Sequence, residues 1–262
     1  MREKILKHLK TAWAGETCLC FPILDSTNEY GKELAKKQPV HGTLVVADTQ
    51  SAGKGRRGRV WQSPAGSTIS MSLCLEPMFR AENAAGLTLV MALAVTEAIR
   101  EVTGANAQIK WPNDIVLNGK KICGILTELI FRDHIYAVII GVGINVNTEH
   151  FPEEIKEIAG SLKAELGKEV SREALIAAIL KYFESYYEQY VKTEDFSLLK
   201  EQYESDLANL DREVRVLDPK QHYVGTAKGI TSAGNLIVVC EEGTEHFVDS
   251  GEVSVRGLYG YV

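Results

Sequence analysis

Residues 108–129 read QIKWPNDIVLNGKKICGILTEL. Two apolar runs flank Asn118-Gly119, which is the dipeptide best suited to a two-residue hairpin turn. The first run is predicted to be a strand that breaks at Pro112 and then continues, and the second run is predicted to return beside it. An antiparallel hairpin at this point argues against a doubly wound parallel sheet.

The segments on both sides of this hairpin support the same fold class. Strand patterns occupy residues 17–24, 44–47, 68–75 and 136–141, and helix patterns occupy residues 1–12, 26–37, 83–103, 171–191 and 196–207. Several strands with few helices between them predict an α+β fold, in which helices flank a mixed, largely antiparallel sheet.

After Asn209 the pattern changes to short strands joined by turn residues. This pattern predicts a small antiparallel barrel, with strands at residues 214–216, 223–230, 236–240 and 246–248 and turns such as Asp218-Pro219. We therefore expect one domain over residues 1–208 and a second over residues 209–262. The second domain contains no obvious catalytic set, so a supporting role is predicted for it.

Composition narrows the possible functions. The chain has 262 residues, 45% of them hydrophobic, and a net charge of −6, which suits a soluble globular protein. The acidic balance argues against general nucleic-acid binding, and no run of about 18 apolar residues predicts a membrane span. Five cysteines without metal-binding spacing fit a reduced cytoplasmic protein and make a structural metal site improbable.

The segment from Thr49 to Trp61 contains three glycines and four cations within residues 53–59. It matches the dinucleotide pattern GxGxxG, but that pattern requires a helix to follow, whereas residues 63–66 break the chain and residues 68–75 predict a strand. The alternatives are a solvated basic loop and a loop that closes over a phosphate-bearing ligand. The glycine spacing and the flanking Trp61 favour the second.

A second cationic group comes from the hairpin. Lys110 and Lys121 are predicted to lie on its two arms, with Asp114 near Lys110 to balance their charge or to bind Mg²⁺ with a nucleotide. Trp111 is expected in the core. The chain contains no catalytic-triad order and no Walker A motif, which favours charge stabilisation and positioning over covalent catalysis. Condensation of a carboxylate with ATP is one candidate among several phosphate-handling activities.

Five segments in order resemble those of biotin protein ligases: residues 25–28, 50–59, 110–114, 121–126 and 141–145. With the closing barrel, the resemblance covers nearly the whole chain. It implies a class II aminoacyl-tRNA synthetase-like catalytic domain followed by an SH3-like β-barrel. It also implies that biotin and MgATP form biotinyl-5′-adenylate and pyrophosphate, and that the acyl group passes to a lysine of a biotin carboxyl carrier protein domain of acetyl-CoA carboxylase.

The resemblance also implies roles for individual residues. The implied biotin-binding residues are Ser26, Thr27, Asn28, Gln50, Lys54, Gly55, Arg56 and Lys121. The implied ATP-binding residues are Arg59, Lys110, Asn113, Asn145 and Trp61. Catalytic roles are implied for Lys121, Arg56 and Lys110. Lys54 stands where the family often has arginine, which keeps the charge but loses the planar fork. From local pattern alone, Ser26 and Thr27 would simply cap a helix.

Two other functions are disfavoured. A lipoate-type ligase would lack the glycine-arginine loop at residues 53–59. A DNA-binding biotin sensor would need a winged-helix domain, and only some 20 residues precede the first strand, so a monofunctional ligase is expected. A homodimer is possible if residues 136–141 form an exposed edge strand.

Overall fold

The computed structural model describes residues 1–62, 64–132, 135–217, 222–250, 254–257 and 261. Two β-sheets and six α-helices make up the described part of the chain. The helices are α1 (Arg2–His8), α2 (Thr27–Ala35), α3 (Leu87–Thr103), α4 (Leu162–Leu166), α5 (Arg172–Thr193) and α6 (Lys200–Ser205). None of them combines the length and the apolar character that a membrane crossing requires.

The larger sheet has seven strands. They are β1 (Cys18–Leu24), β2 (Thr43–Gln50), β3 (Thr68–Leu75), β4 (Gln108–Lys110), β5 (Asp114–Leu117), β6 (Lys120–Arg132) and β7 (Ile135–Asn145). Their order is β1-β2-β3-β7-β6-β5-β4, and only β1 and β2 run parallel. The predicted mixed, largely antiparallel sheet is confirmed.

The hairpin turn at Asn118-Gly119 is confirmed, because both residues have a positive φ, 52° and 78°. The prediction that the strand breaks at Pro112 and then continues is wrong. The chain reverses there, and β4 and β5 pair antiparallel with Lys110 opposite Asp114. Lys110 and Lys121 therefore lie on the outer strands of a three-stranded meander, not on the two arms of one hairpin.

Helices cover both faces of this sheet. On one face, α3 packs against α5 and against β6 and β7. Buried apolar side chains lie on nearly all sides of α3. Gly104, with φ 78°, ends α3 as a left-handed cap. The predicted start at residue 83 is wrong, because residues 81–86 form a 3₁₀ turn. On the opposite face, α2 covers a smaller core around Val45, Cys74 and Ile139.

The second sheet is antiparallel and has five strands. They are β8 (Glu213–Leu217), β9 (His222–Ile230), β10 (Leu236–Val239), β11 (Glu245–Val248) and β12 (Ser254–Gly257), in the order β11-β10-β9-β8-β12. Sequence patterns missed β12, and the predicted turn at Asp218-Pro219 lies outside the described residues. The domain boundary between residues 208 and 209 stays a prediction.

The edges of the larger sheet are β1 and β4. β7 lies between β3 and β6, so the idea of an exposed edge at residues 136–141 is wrong. Residues 206–208 run along β4, where the amide of Ile109 donates to Asp206 O and the amide of Ala208 donates to Ile109 O, both at 2.8 Å. On β1, Arg2 Nε donates to Cys18 O at 3.0 Å, and Pro22 lies within the strand.

Candidate active site

A cavity of about 470 Å³ lies over the middle of the larger sheet. Its size is in the range of small-molecule sites. Residues 53–61, which we call the lid, line one side as a narrow antiparallel loop. The amide of Gly55 donates to Arg59 O at 2.7 Å, and the amide of Trp61 donates to Gly53 O at 2.9 Å. The glycine-basic loop thus lies at a cavity, as the sequence predicts.

The floor of the cavity depends on two glycines of β7. A Cβ atom on Gly141 would lie 2.3 Å from Asn28 Oδ1, and one on Gly143 would lie 2.4 Å from the indole of Trp61. These separations are far below van der Waals contact, so each glycine makes room for a side chain that crosses the strand. The indole Nε1 of Trp61 is buried and makes no hydrogen bond within the described residues. Trp61 therefore anchors the lid to the sheet.

Asn28 holds the start of α2 against the sheet. Its amide nitrogen donates to Leu126 O at 3.1 Å and to Glu128 Oε2 at 2.8 Å, and its Oδ1 accepts from Ser72 Oγ at 2.6 Å. A buried side chain with both ends engaged is a structural element of the site wall. Direct contact between Asn28 and a ligand stays a prediction.

The amino end of α2 faces the cavity beside the end of β2. Ser26 Oγ caps the helix by accepting from the amide of Glu29 at 3.4 Å, so the capping prediction is confirmed. Gln50 Oε1 accepts from the amide and the hydroxyl of Thr27, at 2.8 and 3.2 Å. Ser26, Thr27 and Gln50, three of the eight predicted biotin-binding residues, line the cavity. The helix end adds positive potential there.

Lys54 lines the cavity, but its ammonium forms an ion pair with Glu29 Oε1 at 2.7 Å. Glu29 also accepts from Lys32 at 2.9 Å. These two hydrogen bonds, first that of Lys54 and then that of Lys32, lower the pKa of Glu29. The lid is thereby tied to α2 through a half-exposed ion pair.

Arg56 connects the lid to both sheets. Its Nη1 donates to Asn113 Oδ1 at 2.8 Å, and its Nη2 donates to Ser250 O at 2.5 Å. Burial lowers the pKa of Arg56 below its ordinary value. Asn113 is itself fixed, because its Nδ2 donates to Ile125 O at 3.1 Å. Arg56 and Asn113, predicted for different substrates, meet in the cavity wall.

Lys110, Lys121 and Asp114 form the charged centre of the cavity. Lys121 Nζ lies 2.5 Å from Asp114 Oδ1, and Tyr261 donates its hydroxyl to Asp114 Oδ2 at 2.5 Å. Burial alone would raise the pKa of Asp114, but the Lys121 ammonium holds it below its usual value. Oδ2 is thus hydrogen-bonded, whereas Oδ1 has the Lys121 ammonium as an ion-pair partner and makes no hydrogen bond within the described residues. A Mg²⁺ contact at Asp114 stays a prediction.

Lys110 is buried, with only 5% of its surface exposed. Its Nζ lies 3.7 Å from the ring centroid of Tyr261. Burial lowers its pKa to about 8, although Asp114 acts in the opposite direction. The charge of Lys110 therefore changes near neutral pH.

The remaining wall was missed by sequence reasoning. Residues 148–160 run beside β6, where the amide of Lys121 donates to Ile158 O at 2.7 Å and the amide of Gly160 donates to Lys121 O at 2.9 Å. Asn145 Nδ2 donates to Gly160 O at 3.1 Å and so fixes this segment to β7. The apolar residues of the segment 148–160 give only a weak signal in the sequence. Arg59 lines the cavity, and its contact with ATP stays a prediction.

The second sheet also contributes to the cavity, which corrects its predicted role as a mere support. Val255, Arg256 and Tyr261 line it, and Ser250 holds Arg56. No local motif marks these residues. No cluster of three or more potential metal-binding side chains occurs within the described part of the chain.

Comparisons with known proteins agree with this arrangement. The Biotin/lipoate A/B protein ligase family matches residues 20–145, and the Biotin protein ligase C terminal domain matches residues 210–256. The chain is 41% identical over 238 residues to the bifunctional ligase/repressor BirA of Bacillus subtilis, covering 90% of this chain and 73% of that protein. The chain belongs to the biotin protein ligase family. As a family member, it is a ligase.

Two further relatives bear on the fold and the activity of this biotin protein ligase family member. A biotin protein ligase from Aquifex aeolicus, solved with biotin and ATP, superimposes with a TM-score of 0.79 at 33% identity, covering 92% of this chain and 99% of that chain. A biotin--[acetyl-CoA-carboxylase] ligase from Paracoccus denitrificans is 43% identical over 126 residues, which cover 47% of this chain and 51% of that protein.

Proposed function

We propose that this chain condenses biotin with ATP to give biotinyl-5′-adenylate and pyrophosphate. It then transfers the biotinyl group to a lysine of a biotin carboxyl carrier protein domain, such as that of acetyl-CoA carboxylase. The observation that carries this proposal is one cavity in which Arg56 of the lid converges with Lys110 and Lys121 of the sheet. Ser26, Thr27 and Gln50 line the same cavity and supply polar partners for the ureido group of biotin.

The first step joins two anions, since a biotin carboxylate oxygen attacks the α-phosphorus and pyrophosphate leaves. Cations fixed before the reaction lower the free energy of this encounter. In the proposal, Lys121 contacts both the carboxylate and the α-phosphate, and its 2.5 Å pair with Asp114 fixes its position. Lys110 and Arg59 take the nucleotide phosphates, with Asn145 at the same side.

In the second step the neutral amine of the carrier lysine attacks the acyl carbon of the adenylate. An amide bond forms, AMP leaves, and the proton released from nitrogen passes to solvent or to the phosphate. Arg56, Lys54 and Gly55 lie in the lid and would shield the mixed anhydride from water until the carrier arrives. The indole of Trp61 would hold that lid in place.

Magnesium would enter as MgATP, as part of the substrate. Asp114 is the carboxylate at the charged centre that was predicted to meet it, and it is already ion-paired with Lys121 and hydrogen-bonded by Tyr261. The proposal therefore assigns the cation to the triphosphate and no protein side chain as its ligand.

The decisive experiment is to incubate the protein with biotin, MgATP and a biotin carboxyl carrier domain, and to weigh the carrier. We expect a single biotinyl addition that requires ATP and is absent when the acceptor lysine is arginine. Lipoic acid in place of biotin tests the lipoate-type alternative. Modification with lipoate but not with biotin would contradict the proposal.

A cytoplasmic location is part of the proposal. All five cysteines are free thiols, which suits a reducing compartment. A homodimer stays a prediction.

A further inference from the structure

Tyr261 lies beyond the family match, which ends at residue 256, and yet it contacts two groups of the charged centre. Its hydroxyl donates to Asp114 Oδ2 at 2.5 Å, and its ring centroid lies 3.7 Å from Lys110 Nζ. Burial, and then the negative charge of Asp114, raise the pKa of Tyr261. The hydroxyl therefore remains a hydrogen-bond donor throughout the neutral range.

We propose that Tyr261 is a positioning residue for the nucleotide half of the active site, which orients Lys110 directly and Lys121 through Asp114. This inference rests on the proposed function in assigning ATP as the nucleotide. It gives Tyr261, which follows the second sheet in the chain, a part in the chemistry.

The first argument concerns the carboxylate. The Lys121 ammonium forms an ion pair with one oxygen of Asp114 but no hydrogen bond, so the hydrogen bond from Tyr261 to the other oxygen is what fixes the plane of the carboxylate. A carboxylate held only by Lys121 could rotate and let the flexible ammonium shift with it. Hydrogen bonds to an ionised acceptor are about twice as strong as neutral ones. The Tyr261 hydroxyl thereby fixes the position of Lys121.

The second argument concerns the charge of Lys110. A carboxylate partner would neutralise this ammonium and compete with a phosphate for it. An aromatic face attracts the cation but carries no net charge, so it holds the ammonium and leaves it available to an anion. The ring also covers the ammonium, which is consistent with the 5% exposure of Lys110.

The opposite function of Tyr261 would be to block the nucleotide site. The two roles predict opposite changes in ATP affinity when the ring is removed. Removing a positioning ring weakens ATP binding, whereas removing a blocking ring tightens it. ATP affinity therefore separates them directly.

The experiment compares Tyr261→Phe, which keeps the ring, with Tyr261→Ala, which removes the ring and the hydroxyl. Tyr223→Phe and Phe247→Ala are the matched controls, because both residues lie on the second sheet and neither lines the cavity. Calorimetry gives the Kd of ATP without biotin. Biotin-dependent pyrophosphate exchange gives kcat and the KM of each substrate from pH 6 to 10.

For Tyr261→Ala we expect the Kd and KM of ATP to rise about tenfold, with the KM of biotin changed less than about twofold. The alkaline limb of the ATP profile should move to higher pH, since hydration of Lys110 returns its pKa toward the ordinary value. Tyr261→Phe should leave the alkaline limb of the ATP profile and the Kd of ATP unchanged. It should lower kcat about threefold to tenfold, because Asp114 loses a hydrogen bond. The controls should match wild type.

Tighter ATP binding by Tyr261→Ala would overturn the proposal in favour of a blocking ring. Equal losses for ATP and biotin with an unmoved pH profile would also overturn it, because they indicate general damage. If Tyr261→Ala unfolds, Tyr261→Leu replaces it, since leucine fills space without a π face. If wild type shows no biotin-dependent exchange, the proposed function fails, but the ATP Kd values still decide the role of Tyr261.

Discussion

Replacing Gly143 with alanine tests how the lid is anchored. The added Cβ would lie 2.4, 2.6 and 2.7 Å from three atoms of the Trp61 indole, whereas carbon atoms normally meet at about 3.5–4.0 Å. The indole would have to move by about 1 Å or leave its place. Gly143 is not among the residues with positive φ, so the backbone accepts alanine without strain. The perturbation therefore falls on Trp61.

The magnitude follows from overpacking, which costs typically about 1–3 kcal/mol. If overpacking destabilises the closed lid by about 2 kcal/mol, the population of the closed lid relative to the open lid falls by about 30-fold. We expect Gly143→Ala to release the adenylate about 10- to 100-fold faster than wild type. The thermal midpoint of the ligand-free protein should change little.

The assay is the rate at which radiolabelled adenylate leaves the enzyme without a carrier. A double-mutant cycle with Trp61→Ala provides the control, because removal of the indole removes the clash. In that background Gly143→Ala should add almost nothing. An equally large effect with and without the indole would refute the reasoning, and so would an unchanged release rate in the single variant.

Three further predictions concern charged groups of the site. Lys121→Ala should abolish pyrophosphate exchange. It should also lower the unfolding free energy, measured by calorimetry, by about 3 kcal/mol, since Asp114 is left buried without its cation. Adding Asp114→Asn should restore the stability but not the exchange. Because burial lowers the pKa of Lys110 from 10.5 to about 8, ATP binding should weaken above pH 8, and Lys110→Arg should move that weakening to higher pH. The cost of the buried charge to the folded state is full below pH 8 and is lost as the pH rises toward 10.5, so the unfolding free energy should rise more with pH in wild type than in Lys110→Met across this window. An equal or smaller rise in wild type would exclude the assignment. Glu29→Gln breaks a half-exposed pair with Lys54, so adenylate release should quicken no more than about fivefold, and salt near 1 M should erase the difference from wild type.

Local sequence patterns predicted the strands, turns and helix ends that are determined by residues close together in the chain. The strand at residues 68–75 and the turn at Asn118-Gly119 were found because an apolar run and a turn dipeptide carry their own signals. The helix predicted from residue 171 is of the same kind, because Ser171 caps α5 by accepting from the amide of Ala174. The reversal at Pro112 was missed, since a proline that interrupts a strand does not show whether the chain then continues or returns.

The cavity was predicted in part. Lys110 and Lys121 meet at the same centre as expected, although through a meander with Asp114 between them. Residues 148–160 and Tyr261 were missed, because their places depend on contacts far along the chain and no spacing rule connects them to the motifs. Tyr261 and its partner Asp114 are 147 residues apart.

The edges of the larger sheet limit how another chain can join it. Along β4 the outward groups of Ile109 are already bonded to residues 206–208, so that side has no template for an incoming strand. Along β1, Pro22 offers no amide, and the carbonyl of Cys18 accepts from Arg2. Extension of the sheet into a continuous intermolecular ribbon is therefore opposed at both ends. A strand from another chain would have to displace residues 206–208 at β4 or pair around Pro22 at β1.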